Sequence, residues 1–405
     1  MRKIYTLLVV VGALMIVSAI VYFLGLALAG DKRQPVMPAD TPSSSQKLSV
    51  GAYYYTYDSP NSFFWQRYLR KKLNIRQSPK LGEYSSRDEA VMKQHLAWAN
   101  QSGIDFFAMS WFGPGSASDV TIRNYFSAYL RNNKSDFKFC LVYQTPYLLP
   151  FENGVVIIDR EALSLIQNHL LYAADEYFKD PNYLKINNRP VLFIYVSHLL
   201  RGDYELALTK TCNVVKQRTG MDIFLVGDEV IFTEGDSRQT QPDKKRLGVF
   251  DAITTHTIFG PIKYDGLPVL TGFFKDLDAV FQNYLQLARE KNVMFIPCAM
   301  PGFNNRGSNK EGIKYAILPR EATIDKNNEG TTYSVYLDVA KKYVDPSLGI
   351  LMINSFNGFS DDTQIEPVTS DFITPASAPV ELTNGDKYYN YQDLYLRLTK
   401  ERLKD

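Results

Sequence analysis

The densest group of chemistry-bearing side chains lies near the C-terminal end, where Asp361, Asp362 and Glu366 follow the apolar run Gly349 to Phe356. A second pair, Asp228-Glu229, follows the apolar run Ile223 to Val226. Cleaving a glycosidic bond without a metal calls for two groups: one protonates the departing oxygen, the other acts as base or nucleophile on the far side. Asp361, Asp362, Asp228 and Glu229 are therefore the candidate catalytic residues, with solvated loop acids as the plainer alternative. Aromatic and polar side chains stand at comparable places, after apolar runs: Tyr54 and Tyr55 within Tyr53-Tyr54-Tyr55-Thr56-Tyr57-Asp58, Trp111, His256, Asn357 and Glu366. These are the candidate substrate-binding residues. Trp111 either stacks on the apolar face of a sugar ring or plugs the rim of a fold.

Composition narrows the classes. The chain has 405 residues, 45% of them hydrophobic and 22% charged, so disorder is excluded and a large core is available. A net charge of +2 argues against a partner such as nucleic acid. Aromatic content is 13%, with 27 Tyr and 24 Phe against 3 Trp, which suits either a large core or a cleft lined for sugars. Cys140, Cys212 and Cys298 are too few and too far apart for a disulfide framework. His95, His169, His198 and His256 lack metal-ligand spacing, so neither a catalytic metal nor another cofactor is expected.

Eight short apolar runs bounded by turn residues predict strands at Ser49 to Tyr55, Ile104 to Trp111, Phe137 to Tyr143, Pro190 to Val196, Asp222 to Gly227, Phe250 to His256, Asn292 to Ala299 and Gly349 to Phe356. Most are apolar throughout, as in parallel strands covered on both faces. Helical patterns fall between them: Arg87 to Ser102, Asp119 to Asn132, Arg160 to Phe178, Tyr204 to Arg218, Lys275 to Lys291 and Thr331 to Tyr343, with Asn390 to Lys404 at the end. Only a short polar stretch around Asp236 to Arg246 separates the fifth and sixth strands. Alternation on this scale predicts a single-domain (β/α)8 TIM barrel over residues 48–405, whose chemistry belongs at the C-terminal strand ends. A doubly wound sheet is disfavoured because no Gly-x-Gly-x-x-Gly follows the first strand.

Before this body, Ile4 to Gly30 carries no charge and follows Arg2-Lys3. That is long enough for a transmembrane helix with a cytoplasmic N-terminus, which places the body outside the cytosol. Ala27-Leu28-Ala29 also fits a signal-peptide cleavage pattern, which would make the protein secreted. Residues 31–47 read as a flexible linker.

Several blocks together resemble the glycoside hydrolase family 99 endo-α-mannosidases and their relatives from polysaccharide biosynthesis clusters. They are Pro79 to Asp88 with Val91, His95, Gly103 and Ile104; Ser110-Trp111 with Pro114-Gly115; Pro190 to Tyr195; Asn292 to Pro297 with Pro301-Gly302; and Ser355-Phe356-Asn357 with Thr363-Gln364-Ile365-Glu366-Pro367. The resemblance implies a (β/α)8 fold, an oligosaccharide or polysaccharide substrate and metal-independent cleavage of α-mannosidic linkages with retention. It further implies two catalytic acids in the last loop, a base acting on the sugar 2-hydroxyl and a general acid/base. Here the first of these positions is Gly358 and the second is Asp361. Either the base comes from elsewhere, with Asp228, Glu229 and Asp362 as candidates, or the protein binds glycans without efficient hydrolysis.

Overall fold

The computed structural model describes residues 47–61, 63–67, 78–231, 243–258, 270–306, 317–321, 329–369, 380–386 and 388–404. The expected membrane segment and nearly all of the linker lie outside them. Among the described residues no helix is long and apolar enough to cross a membrane.

The barrel strands are β1 (Ser49–Tyr54), β2 (Phe106–Trp111), β3 (Lys138–Tyr143), β4 (Arg189–Ile194), β5 (Phe224–Asp228), β6 (Ala252–Thr254), β7 (Met294–Ile296 continuing as Cys298–Ala299) and β8 (Ile350–Ile353). Pairing is parallel throughout and runs from Met294–Ile296 through β6, β5, β4, β3, β2, β1 and β8 to Cys298–Ala299. The two ends of that path are one run of chain interrupted at Pro297, so the nine strands form a nearly closed barrel of eight staves. Proline has no N–H to give to a ladder, which explains the break. Its carbonyl still accepts from Met352 N at 2.9 Å.

The helices match the predicted periodicity, with boundaries set by local chemistry. Helix α1 (Glu89–Ser102) starts at Asp88, whose side chain accepts from Ala90 N, and stops at Gly103 in the left-handed region (φ 77°). The segment 117–132, α2, starts earlier than the pattern suggested because Ser116 caps it; its middle turn, Thr121–Ser127, is π-helical. Helix α3 (Arg160–Glu176) is capped by Asp159, and α4 (Tyr204–Thr219) ends at Gly220 with φ 73°. A single turn, α5 (Lys244–Leu247), occupies the described part of the weak segment between β5 and β6. Helices α6 (Leu270–Glu290), α7 (Thr331–Lys342) and α8 (Leu394–Leu403) complete the outer layer, α8 packing against both α1 and α7.

Alternation along β1 assigns its tyrosines to opposite sides. The Tyr53 ring lies in the barrel against His256 and Phe193, at centroid distances of 4.6 and 5.9 Å. Tyr54 points outward to α1, where its hydroxyl meets His95 Nδ1 at 2.9 Å. All three cysteines are buried. Two small sheets decorate the face at the C-terminal strand ends. Phe151–Glu152, Val155–Ile158 and Leu200–Gly202 form one beside β3 and β4, and Ser78–Pro79 pairs with Val368–Thr369 to stitch the loops after β1 and β8 together.

Candidate active site

The loop after β8 is built from the inside. Asn357 clamps the end of β1, accepting from Tyr55 N at 2.8 Å and donating to Tyr55 O at 2.9 Å; Tyr57 Oη donates to its carbonyl at 2.6 Å. Continuing β1's alternation, Tyr55 then points its ring to the barrel mouth. There its hydroxyl lies 3.1 Å from His256 Nε2. The His256 ring is held by Thr257 Oγ1 at 2.9 Å from Nδ1 and by Tyr195, edge-on at 4.9 Å. Burial lowers the imidazole to about 3, so it is neutral and accepts hydrogen bonds at ordinary pH.

Asp361 is half-buried at this mouth and adds to the negative charge felt by both Tyr55 and Tyr195. Burial pushes its carboxyl up to about 6, against the opposing pull of Arg67 and a hydrogen bond from Ser360. Asp228 also acts electrostatically on Tyr195. Burial raises it to about 7 even though its oxygens accept from His256 N and Val196 N at 2.8 and 2.9 Å. Those bonds make Asp228 the brace between the ends of β4 and β6, fixing Tyr195 and His256 in place.

The remaining candidate residues serve the frame. Glu229 is buried and ion-paired with Arg246 Nε at 2.8 and 2.9 Å, and accepts from Ser197 Oγ at 2.7 Å. Asp362 turns away from the mouth with φ 53° and pairs with buried Arg320. Glu366 is fully buried, accepting from Tyr84 Oη at 2.7 Å with His95 Nε2 at 3.3 Å. Trp111, expected at a sugar subsite, is also fully buried and donates to Asp119 Oδ1 at 3.0 Å among α2 and α3 side chains. For Trp111, Tyr54, Asp362 and Glu366 the correction has one cause: each side chain's parity or backbone turn points it at the helices or into the loop. Trp111→Phe is accordingly expected to cost stability, roughly 1–3 kcal/mol for the lost bond to a buried carboxylate. Denaturation and glycan titration would show a lower unfolding midpoint with unchanged affinity.

Sequence reasoning passed over Tyr195 and Tyr147. Tyr195 lies within the predicted fourth strand and directly follows β4, and Thr145 Oγ1 donates to its carbonyl. Tyr147, 72% exposed, meets Phe112 edge-on at 5.2 Å and acts electrostatically on Tyr55 and Tyr195. Each follows an apolar strand on the mouth side, the same signal that singled out Tyr55.

Residues 72–372 match the family described as Glycosyltransferase WbsX. The chain belongs to this family. Curated relatives carry the resemblance to family 99 further. This WbsX-family chain is 25% identical to the glycoprotein endo-alpha-1,2-mannosidase of Mus musculus over 344 residues, covering 80% of this chain and 62% of the relative's length. The Xenopus laevis protein of that name is also 25% identical, with 80% and 64% covered. Among solved structures, a glycoside hydrolase-like protein superposes with a TM-score of 0.67 at 19% identity, over 90% of this chain and 98% of the other. The family 99 endo-alpha-mannosidase of Bacteroides thetaiotaomicron gives 0.59 at 18%, over 87% and 96%. These superpositions bear out the barrel.

Proposed function

We propose that this protein is a glycan-processing enzyme, a glycoside hydrolase that cleaves α-mannoside-type or related linkages with Asp361 as general acid/base. The observation carrying this reading is the setting of Asp361: a carboxyl at the mouth of the barrel, kept protonated into mildly acidic conditions by burial and acting on Tyr55 and Tyr195, with His256 hydrogen-bonded to Tyr55. The name of the mouse relative, glycoprotein endo-alpha-1,2-mannosidase, supports the linkage class. The family's description as Glycosyltransferase WbsX speaks of glycosyl transfer instead. Hydrolysis is preferred because a departing sugar alkoxide needs a proton, whereas a nucleotide diphosphate leaves without one. The leader residues add a membrane tether, or secretion, that puts the barrel outside the cytosol. Incubating the full chain with a panel of mannans and α-mannosyl oligosaccharides, and analysing the products, tests the reading.

A second reading, glycan binding without efficient hydrolysis, is favoured by Gly358, which supplies no carboxylate. It predicts saturable binding to the same glycans with no product after long incubation.

The acid assignment sets the pH dependence. A raised carboxyl pKa keeps Asp361 in its proton-donating form below about 6, so turnover is expected to fall as pH rises through that value. A pH–rate profile measures this, and a rate that climbs between pH 6 and 8 contradicts it.

A further inference from the structure

Position 358 is closed, and what closes it bears on the chemistry. A Cβ there would collide with Ser355 Oγ and Thr363 Oγ1, which bond to each other at 2.9 Å, and would lie 3.1 Å from Tyr55 Cε2. A side chain at that point of the β8 loop would have to displace the bonded Ser355 and Thr363 hydroxyls, and the Tyr55 ring borders the space. Of the other carboxylates near the mouth, Glu229 is committed to Arg246, Asp362 to Arg320, and Asp228 to two backbone N–H groups.

We propose that Tyr55, backed by His256, supplies the second catalytic function opposite Asp361: Tyr55 Oη takes the proton of the attacking hydroxyl while its own proton passes to His256 Nε2. The inference rests on the hydrolase reading and names the group that completes it. The attacking oxygen, water in hydrolysis, forms its bond to the anomeric carbon. The glycosidic C–O bond breaks, and the departing oxygen takes the proton of Asp361. One proton is thus gained by His256 and one lost by Asp361, and exchange with solvent restores both.

The surroundings suit a relay of neutral groups. Burial holds the Tyr55 phenol protonated, with Asp361, Tyr195, Tyr57 and Tyr147 acting in the same direction. Around the imidazole stand Tyr53 of β1, Tyr55 just after it, Tyr195 just after β4, and Asp228 of β5 at its own backbone N–H. Tyr55 is the catalytic residue of the pair, and His256 positions its hydroxyl and holds the proton only while the glycosidic bond breaks, since burial keeps the imidazole neutral otherwise.

The test uses the full chain, α-mannosyl and α-mannobiosyl fluorides, and a mannan substrate. Fluoride departs without a proton, so an acid-deficient variant recovers on it and a base-deficient variant does not. Tyr55→Phe is expected to lose about 10²–10⁴-fold in kcat on fluoride and mannan alike, with KM little changed. His256→Gln should lose kcat too, and the double variant should be no slower than Tyr55→Phe, because the two act as one unit. Unfolding midpoints check that the variants are folded. If the wild type splits the fluoride and Tyr55→Phe stays within threefold of it, the proposal is overturned while the hydrolase reading stands. If losses in the single variants multiply in the double, the relay is overturned. A wild type that splits neither fluoride nor mannan overturns the hydrolase reading and the relay with it.

Discussion

Asp361→Asn is expected to lower kcat/KM on an unactivated glycan by about 10²–10⁴-fold, the usual contribution of a positioned general acid. Asn keeps the size and polarity of the side chain but has no proton of the required acidity. Because the Asp361 backbone carries its own bonds, its carbonyl accepting from Asn304 N at 2.8 Å and its N–H directed to Gly358 O at 3.3 Å, the loop should hold its shape. KM should therefore change little. The loss should shrink sharply on a glycosyl fluoride, whose leaving group needs no proton. Steady-state kinetics on both substrates check this. Equal losses on the two would mean that Asp361 acts as nucleophile or structural support instead.

Arg320→Met is expected to destabilise the fold by roughly 3–5 kcal/mol, the size of effect seen when one partner of a buried ion pair is removed. The guanidinium is buried and stacks over the rings of Tyr391 and Tyr395, 5.1 and 4.7 Å from their centroids. It pairs with Asp362 at 3.5 Å and donates to the carbonyls of Asp362 and Gln364, each at 2.9 Å. Methionine fills the volume and satisfies none of these groups. The shape of the stretch 361–364 depends on them, and Asp361 opens it, so activity should fall with stability. Denaturant unfolding followed by fluorescence gives the number, and a change below about 1 kcal/mol would contradict the role assigned to the pair.

The barrel was legible because its signal is carried by apolar runs in register with turn residues. Each of the eight predicted runs overlaps a stave, six of them containing it whole, while β4 begins one residue before its run and β5 ends one residue after; only Pro297 interrupts a stave. The candidate site was legible in outline. Apolar runs locate strand ends, and strand ends locate the mouth, which is how Asp361, Tyr55, His256 and Asp228 were picked out. Which way a side chain turns was not legible at that resolution. Tyr54 and Tyr55 are neighbours of one type, yet one bonds His95 beneath α1 and the other His256 at the mouth. Asp361 and Asp362 part in the same way, because the left-handed backbone at Asp362 swings its carboxylate to Arg320. Arg320 lies far from Asp362 in the chain, so no local pattern announces the pairing. The glycine at 358 was visible as a missing carboxylate. That its space is closed by Ser355, Thr363 and Tyr55 follows only from the folded loop.

The most direct test of the acid role of Asp361 compares the full-length wild type with Asp361→Asn on α-1,2-linked mannooligosaccharides, following product formation by mass at pH 5.5. An acid role for Asp361 predicts defined cleavage products from the wild type and at most about 1% of that rate from the variant, in keeping with the loss of a general acid. Equal product from both proteins, or none from either under saturable binding, would contradict it.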